Sequence, residues 1–287
     1  MKHQRSNSTI QYRRMTADDL PAAHKLSLSV LWPHRLEDWK FVFGLGEGIV
    51  AEDSSGVIGT VMCWCHGPDH GSLGMMVVSP EHQGKGIGRE LVSRILKQVG
   101  ARTLLLHATA NGVKFCEGFG FTQTGWVHQH QGSVFRAPFV PLGAGERIRP
   151  VSSRDEPALA EMSRRAVGMP RATVLKQLMS VADIVAIDRY GELIGFAALR
   201  KFGHGYVIGP VVAPDAERAK ALIAHWAGTH AGAFVRVDVP DTSGLSPWLT
   251  EMGLVQVEAT VHTMARGEQP HTDPSIKRYA LLSQSLG

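Results

Sequence analysis

Three cysteines among 287 residues are too few for a disulfide framework, and a reducing compartment, the cytoplasm, is the expected home. No uncharged apolar run approaches the roughly 18 to 20 residues that a bilayer helix needs, so no membrane is expected as a partner. Blocks of five or six like charges are missing, as are the spacings of RNA-recognition, zinc-finger and homeodomain modules, so nucleic acid is not expected either. The fourteen histidines form no H-E-x-x-H or comparable ligand spacing, and no metal is expected. Cys63-x-Cys65 has no second pair and reads as core packing; His128-x-His130 reads as a solvated strand face. The opening Met1–Ser8 carries charge without an apolar stretch behind it, unlike a secretion signal. What is present suits a folded protein: 44% hydrophobic and 20% charged residues supply a core and a surface. A net charge of +4 with histidine neutral is compatible with a polyanionic ligand and selects none.

The chain repeats itself. Thr16-x-x-Asp19-x-Pro21 is matched by Ser152-x-x-Asp155-x-Pro157, an offset of 136 residues. Each has a hydroxyl cap, an early acid and an early proline, the marks of a helix start. Ile49-Val50-Ala51 with Val57-Ile58-Gly59 is answered by Val185-Ala186-Ile187 with Leu193-Ile194-Gly195, each a hairpin around a glycine-containing turn. Val77-Val78-Ser79-Pro80 is answered by Val211-Val212-Ala213-Pro214, now at an offset of 134. Leu104–Leu106 corresponds to Val235–Val237, and Phe119-Gly120-Phe121 to Met252-Gly253-Leu254. Five landmarks in one order at a nearly constant offset indicate a duplicated domain. The seam falls in Pro141–Glu146, a Pro/Gly linker. The expected bounds are 10–140, 147–266 and an extension over 267–287, with the first nine residues and Gly267–Ser275 as tethers. Each copy reads as strand, helix pair, antiparallel strands, helix, strand, short helix, strands: an α+β fold with a mixed, mostly antiparallel sheet flanked by helices.

One loop carries the strongest chemical signal. Behind the Val77-Val78 strand stands Gln83-Gly84-Lys85-Gly86-Ile87-Gly88-Arg89. It opens a helix whose Ile87, Leu91, Val92, Ile95, Leu96 and Val99 recur at helical spacing. A helix N-terminus presents amides with no intrahelical acceptor, and its dipole favours an anion. Glycines let a diphosphate approach the backbone, and Lys85 and Arg89 add countercharge. The pattern is neither G-x-x-x-x-G-K-[ST] nor the dinucleotide G-x-G-x-x-G of a βαβ unit.

With these residues the chain resembles the GCN5-related N-acetyltransferase (GNAT) superfamily in its tandem two-domain form. The match lies in [Q/R]-x-x-G-x-[G/A] at Gln83–Gly88 after Val78-Ser79-Pro80, and in the downstream Phe115–Phe121. The resemblance implies acetyl-coenzyme A as donor, its pyrophosphate on Gln83, Gly84, Lys85, Gly86, Ile87, Gly88 and Arg89. It also implies pantetheine beside a splayed strand that includes Met76, Val77 and Val78, with a backbone N–H at Val77 or Val78 polarising the thioester. The implied activity is direct transfer to a primary amine, of a small molecule or a peptide, within a ternary complex. Proximity and oriented amides then do most of the work.

Departures from the pattern qualify this expectation. Cys116 stands where most members carry a tyrosine that protonates the departing sulfur, so it is either a substitute acid or a packing residue. Glu52, His66 and His34 compete as general base. Trp32, His34, Arg35 and Trp39 fall between the first two helices, where the family binds its acceptor. The second copy runs Asp215-Ala216-Glu217-Arg218-Ala219-Lys220, without glycine and with carboxylates in the place of the diphosphate. A non-catalytic acyl-coenzyme A sensor is the alternative reading. Neither the acceptor nor the oligomeric state is legible in the sequence.

Overall fold

The computed structural model describes residues 9–258 and 261–287, so the first eight residues of the expected N-terminal tether lie outside the described residues. The chain divides into two compact units, residues 1–65 with 73–101 and residues 66–72 with 102–287.

The first unit contains β1 (Gln11–Arg14), α1 (Leu20–Ser29), α2 (Leu36–Phe43), β2 (Glu47–Asp53), β3 (Gly56–His66) as far as Cys65, β4 (His70–Val78) from Leu73 onward, and α3 (Ile87–Val99). The strands run in the order β1-β2-β3-β4. α1 begins as its sequence suggests: Asp19 accepts from the Thr16 amide and hydroxyl, and Pro21 occupies the first turn. α3 buries Ile87, Leu91, Val92, Ile95 and Val99, the 3.6-residue stripe. Gly59 in β3 makes this packing possible: a Cβ there would come within 3.0 Å of Leu91 and 3.3 Å of Ile87. Trp39 and Trp64 are fully enclosed, each indole N–H satisfied by Ser27 Oγ or the Val42 carbonyl.

The second unit holds β5 (Thr103–Thr109), α4 (Val113–Glu117), β6 (Thr122–Ser133), β7 (Glu146–Pro150), α5 (Glu156–Val167), α6 (Ala172–Met179), β8 (Asp183–Arg189), β9 (Glu192–Phe202), β10 (Gly205–Ala213), α7 (Ala216–Thr229), β11 (Phe234–Pro240), α8 (Ser246–Glu251), β12 (Val255–Gln256), β13 (Val261–Arg266) and β14 (Lys277–Ala280). Its strands run β5-β13-β6-β11-β10-β9-β8-β7. Side chains from β8 to β11 alternate; Val185, Ile187, Leu199, Ile208, Val235 and Val237 face one core with Leu222, Ile223 and Trp226 of α7 and Leu249 of α8.

The duplication is legible in fine detail. β2–β3 and β8–β9 slip register at corresponding places, between Ala51 and Glu52 and between Ile187 and Asp188. The capping box at Thr16/Asp19 recurs at Ser152/Asp155.

The compact units nevertheless do not follow the Pro141–Glu146 seam. β6, from the first copy, pairs with β13 through Thr122–Val127 and with β11 through Val127–Ser133, while β13 also pairs with β5. Strands of the two copies interleave, and β5, α4 and β6 therefore group with the second copy. Two local expectations also change. Gly267–Ser275 lacks regular structure, but Arg165 bonds Asp273 and Ser275 and pins it. His130 is not solvated: it is buried opposite Val237, bonded to the Leu254 carbonyl and Ser246 Oγ.

Candidate active site

β4 delivers the chain to the glycine loop with a backbone irregularity. Met75 sits at φ +48°, a left-handed conformation unusual for a side-chain-bearing residue in a strand. Its carbonyl accepts from Thr60 Oγ1 at 2.7 Å. β4 pairs with β5 in parallel only at His70–Ser72; this register does not extend to Met76, Val77 and Val78. The Ser79 amide returns to the Ile58 carbonyl, and a single 3₁₀ turn over Pro80–His82 leads out of the strand.

The loop has the features of an anion cradle. Gln83 Nε2 donates to the Val78 carbonyl at 3.1 Å and ties the loop to its strand. Gly84 and Gly86 adopt φ +75° and +81°, and a Cβ at either would meet nothing within 4 Å. The glycines answer a conformational demand, not a shortage of space. Gly86 caps α3 without a side-chain hydrogen bond, and the first amide to close an intrahelical bond is that of Glu90. The amides of Ile87, Gly88 and Arg89 thus precede the helical ladder. Residues 83–86 and Arg89 are exposed and Ile87 is buried, so the loop is anchored by one apolar side chain and open where a polyanion would lie. His82, at the exit of the 3₁₀ turn, stands 3.4 Å from Asp53, whose other oxygen accepts from Ser55.

The second copy differs at each of these points. Pro210 stands where the first copy has Met76, and Asp215 accepts from the Arg218 amide and caps α7. Arg218 pairs with both Asp215 and Glu146. Burial opposes ionisation of Glu146, but Arg218, Arg189 and the Gly143 amide outweigh it and hold its carboxyl at about 2.

The remaining candidates are dispersed. Glu52 accepts from Arg13 at 2.6 Å, and the same guanidinium grips Asp19 at 2.7 Å. An equivalent trio, Arg149 with Asp155 and Asp188, stands in the second copy, which lacks the glycine loop. A constellation kept where the loop is absent serves the fold, and sequence reasoning missed it although Arg13 and Arg149 share the 136-residue offset. His66 belongs to the second unit, where it bonds Ser72 Oγ at 3.0 Å. Burial and the nearby Arg171 charge push its imidazole down to about 3, which leaves it neutral and weakly basic. Cys116, also in the second unit, lies on α4; burial and Glu117 push its thiol up to about 11. Trp39 has no exposed surface and belongs to the core. Arg35 is committed to Asp38 through two hydrogen bonds, at 3.1 and 3.0 Å. Trp32 and His34 remain half-buried, their rings 5.4 Å apart, with the His34 carbonyl bonded to His24 Nε2. Among the described residues no group of three or more His, Cys, Asp or Glu side chains could hold a metal ion, and no helix is long and apolar enough to cross a membrane.

Comparison with known proteins fits this arrangement. Models of the acetyltransferase (GNAT) domain match residues 44–123, which include the glycine loop, and residues 159–280. The chain belongs to the GNAT acetyltransferases. This tandem GNAT chain is 28% identical over 220 residues to the uncharacterized N-acetyltransferase YitH of Bacillus subtilis, covering 75% of this chain and 76% of the relative. A candidate acetyltransferase from Pyrococcus horikoshii shares its fold at a TM-score of 0.79 and 19% identity, over 100% of both chains. A tandem GNAT protein from the clavulanic acid biosynthesis pathway matches at a TM-score of 0.65 and 14% identity, over 91% of this chain and 100% of the other. GNAT domains use acetyl-coenzyme A as co-substrate, and the open amides at Ile87–Arg89 fit its anionic diphosphate.

Proposed function

We propose that this GNAT chain is an acetyl-coenzyme A-dependent N-acetyltransferase whose first copy binds the donor and acetylates a primary amine by direct attack. The observation that carries the reading is the loop between β4 and α3, with two left-handed glycines and a helix start free of any side-chain cap. The amides of Gly84–Arg89 bind the diphosphate, with Lys85 and Arg89 as countercharge. The strand after Met75 presents backbone N–H groups at Val77 or Val78 to the developing oxyanion. Trp32 and His34 face the acceptor, and His34 receives its proton, since Glu52 is held by Arg13 and His66 is buried and weakly basic.

Calorimetry with acetyl-coenzyme A and thiol release against a panel of small amines and lysine peptides tests the reading. Binding is expected in the wild type and lost in Gly86→Asp/Gly88→Asp. His34→Asn is expected to lower kcat/KM at least tenfold with donor binding unchanged. Saturable donor binding without turnover on any amine would favour the sensor reading instead. Unimpaired binding in the double aspartate variant would place the donor elsewhere.

A further inference from the structure

In a splayed pair of parallel strands the parted edges offer unpaired amides and carbonyls. β10 and β11 pair only at Tyr206–Val207 with Val235–Arg236, the second-copy equivalent of a β4–β5 register that covers three residues. The gap beyond is taken by the chain itself. β14 runs antiparallel to β10, with Val211 opposite Ala280, Val212 opposite Arg278 and Ala213 opposite Lys277. Val211, Val212 and Ala213 are the counterparts of Val77, Val78 and Ser79. The Leu281 amide then crosses to the other lip and donates to the Asp238 carbonyl of β11 at 2.8 Å.

Gly209 allows this seating, because a Cβ there would overlap the Leu281 carbonyl. Tyr279, Ala280, Leu281 and Leu282 are buried. The segment continues past His107, whose Nδ1 lies 2.8 Å from the Gln284 carbonyl. It then passes Arg171, which donates to the Leu286 carbonyl at 2.8 Å and to Gly287 O at 3.0 Å. Arg171 is itself 3% exposed, and it is the second-copy counterpart of Arg35. Main-chain pairing along an edge, buried side chains and an arginine on successive main-chain carbonyls are how a fold binds an extended peptide.

We infer that the cleft of the second copy is a peptide groove, with residues Lys277–Gly287 of this chain as its resident occupant. The protein therefore takes one acetyl-coenzyme A per chain. The count rests on the proposed function; the occupancy of the groove does not. Pro210, which lacks an N–H, and Asp215, which caps α7, remove the remaining features a donor would use.

Titration calorimetry of the full chain with acetyl-coenzyme A, paired with hydrogen exchange followed by mass spectrometry, tests both parts. One site per chain is expected, with exchange in 277–282 equally slow with and without the ligand. Two sites, or faster exchange in 277–282 on ligand addition, would overturn the inference. No binding at all would instead sink the proposed function and leave the exchange measurement to decide this one. Gly209→Ala should speed exchange in 279–282 at least tenfold, and Arg171→Gln should do the same for 283–287, with Arg171→Lys restoring part of the protection. Unchanged exchange in both Gly209→Ala and Arg171→Gln would mean that the segment is not held as described.

Discussion

Arg13, Asp19 and Glu52 show how a residue that invites a catalytic reading can be claimed by the fold. Arg13 is 39% exposed but Asp19 only 8%, so the pair is neither a fully screened surface bridge nor a wholly desolvated one. Arg13→Ala should cost about 2 kcal/mol of stability, the scale of losing charge-assisted hydrogen bonds, measurable by urea unfolding at pH 7. Arg13 and Thr16 hold the Asp19 carboxyl below its ordinary range. A depressed folded-state value gives stability that is complete above the unfolded pKa and is lost as the pH falls through the folded one. Asp19→Asn should therefore flatten the loss of stability below about pH 4 relative to wild type. Cys116, too, is claimed by its surroundings. A thiol near 11 holds its proton more tightly than a departing thiolate whose conjugate acid lies at about 8.5 can draw it off. Cys116→Ala should leave kcat within a factor of about three, in keeping with the limited benefit of so poorly matched an acid.

At the scale of elements, the strand–loop–helix unit from β4 to α3 was the most legible part of the molecule because its information is local. Glycine spacing, the apolar stripe and the capless helix start all lie within Met76–Val99. Gly86→Ala isolates the conformational requirement, since a methyl there meets nothing within 4 Å. Because residues 83–86 are exposed, the free loop relaxes around the alanine at little cost to the fold, and the cost of holding it left-handed, about 1–2 kcal/mol, falls on donor binding: acetyl-coenzyme A affinity should fall roughly five- to thirtyfold in calorimetry while the melting temperature barely moves. Met75 was not legible in this way, because nothing in its neighbours announces a left-handed residue; the Thr60 hydroxyl that holds its carbonyl comes from another strand. The burial of His130 escapes the sequence for a related reason. A two-residue period shows which side chains share a face, but the Val237 partner that decides whether that face is buried lies far along the chain.

At the scale of the whole chain, the repeat was visible in five landmarks, yet the interleaving of its strands was not. β6 shares its length between β13 and β11, pairings more than a hundred residues apart in sequence that leave no local trace. A fragment of residues 1–145 would keep the glycine loop but lose β13 from β5, and both β13 and β11 from β6. It would expose three bare strand edges, one of β5 and both of β6. Such a fragment should be recovered as aggregate, whereas co-expression with residues 146–287 should return a soluble, donor-binding pair, as size-exclusion chromatography would show. Once a strand encoded before the linker became part of the sheet completed after it, neither half could be deleted, transplanted or fused elsewhere on its own. If the halves were ever encoded separately, each product would depend on the other to complete its sheet.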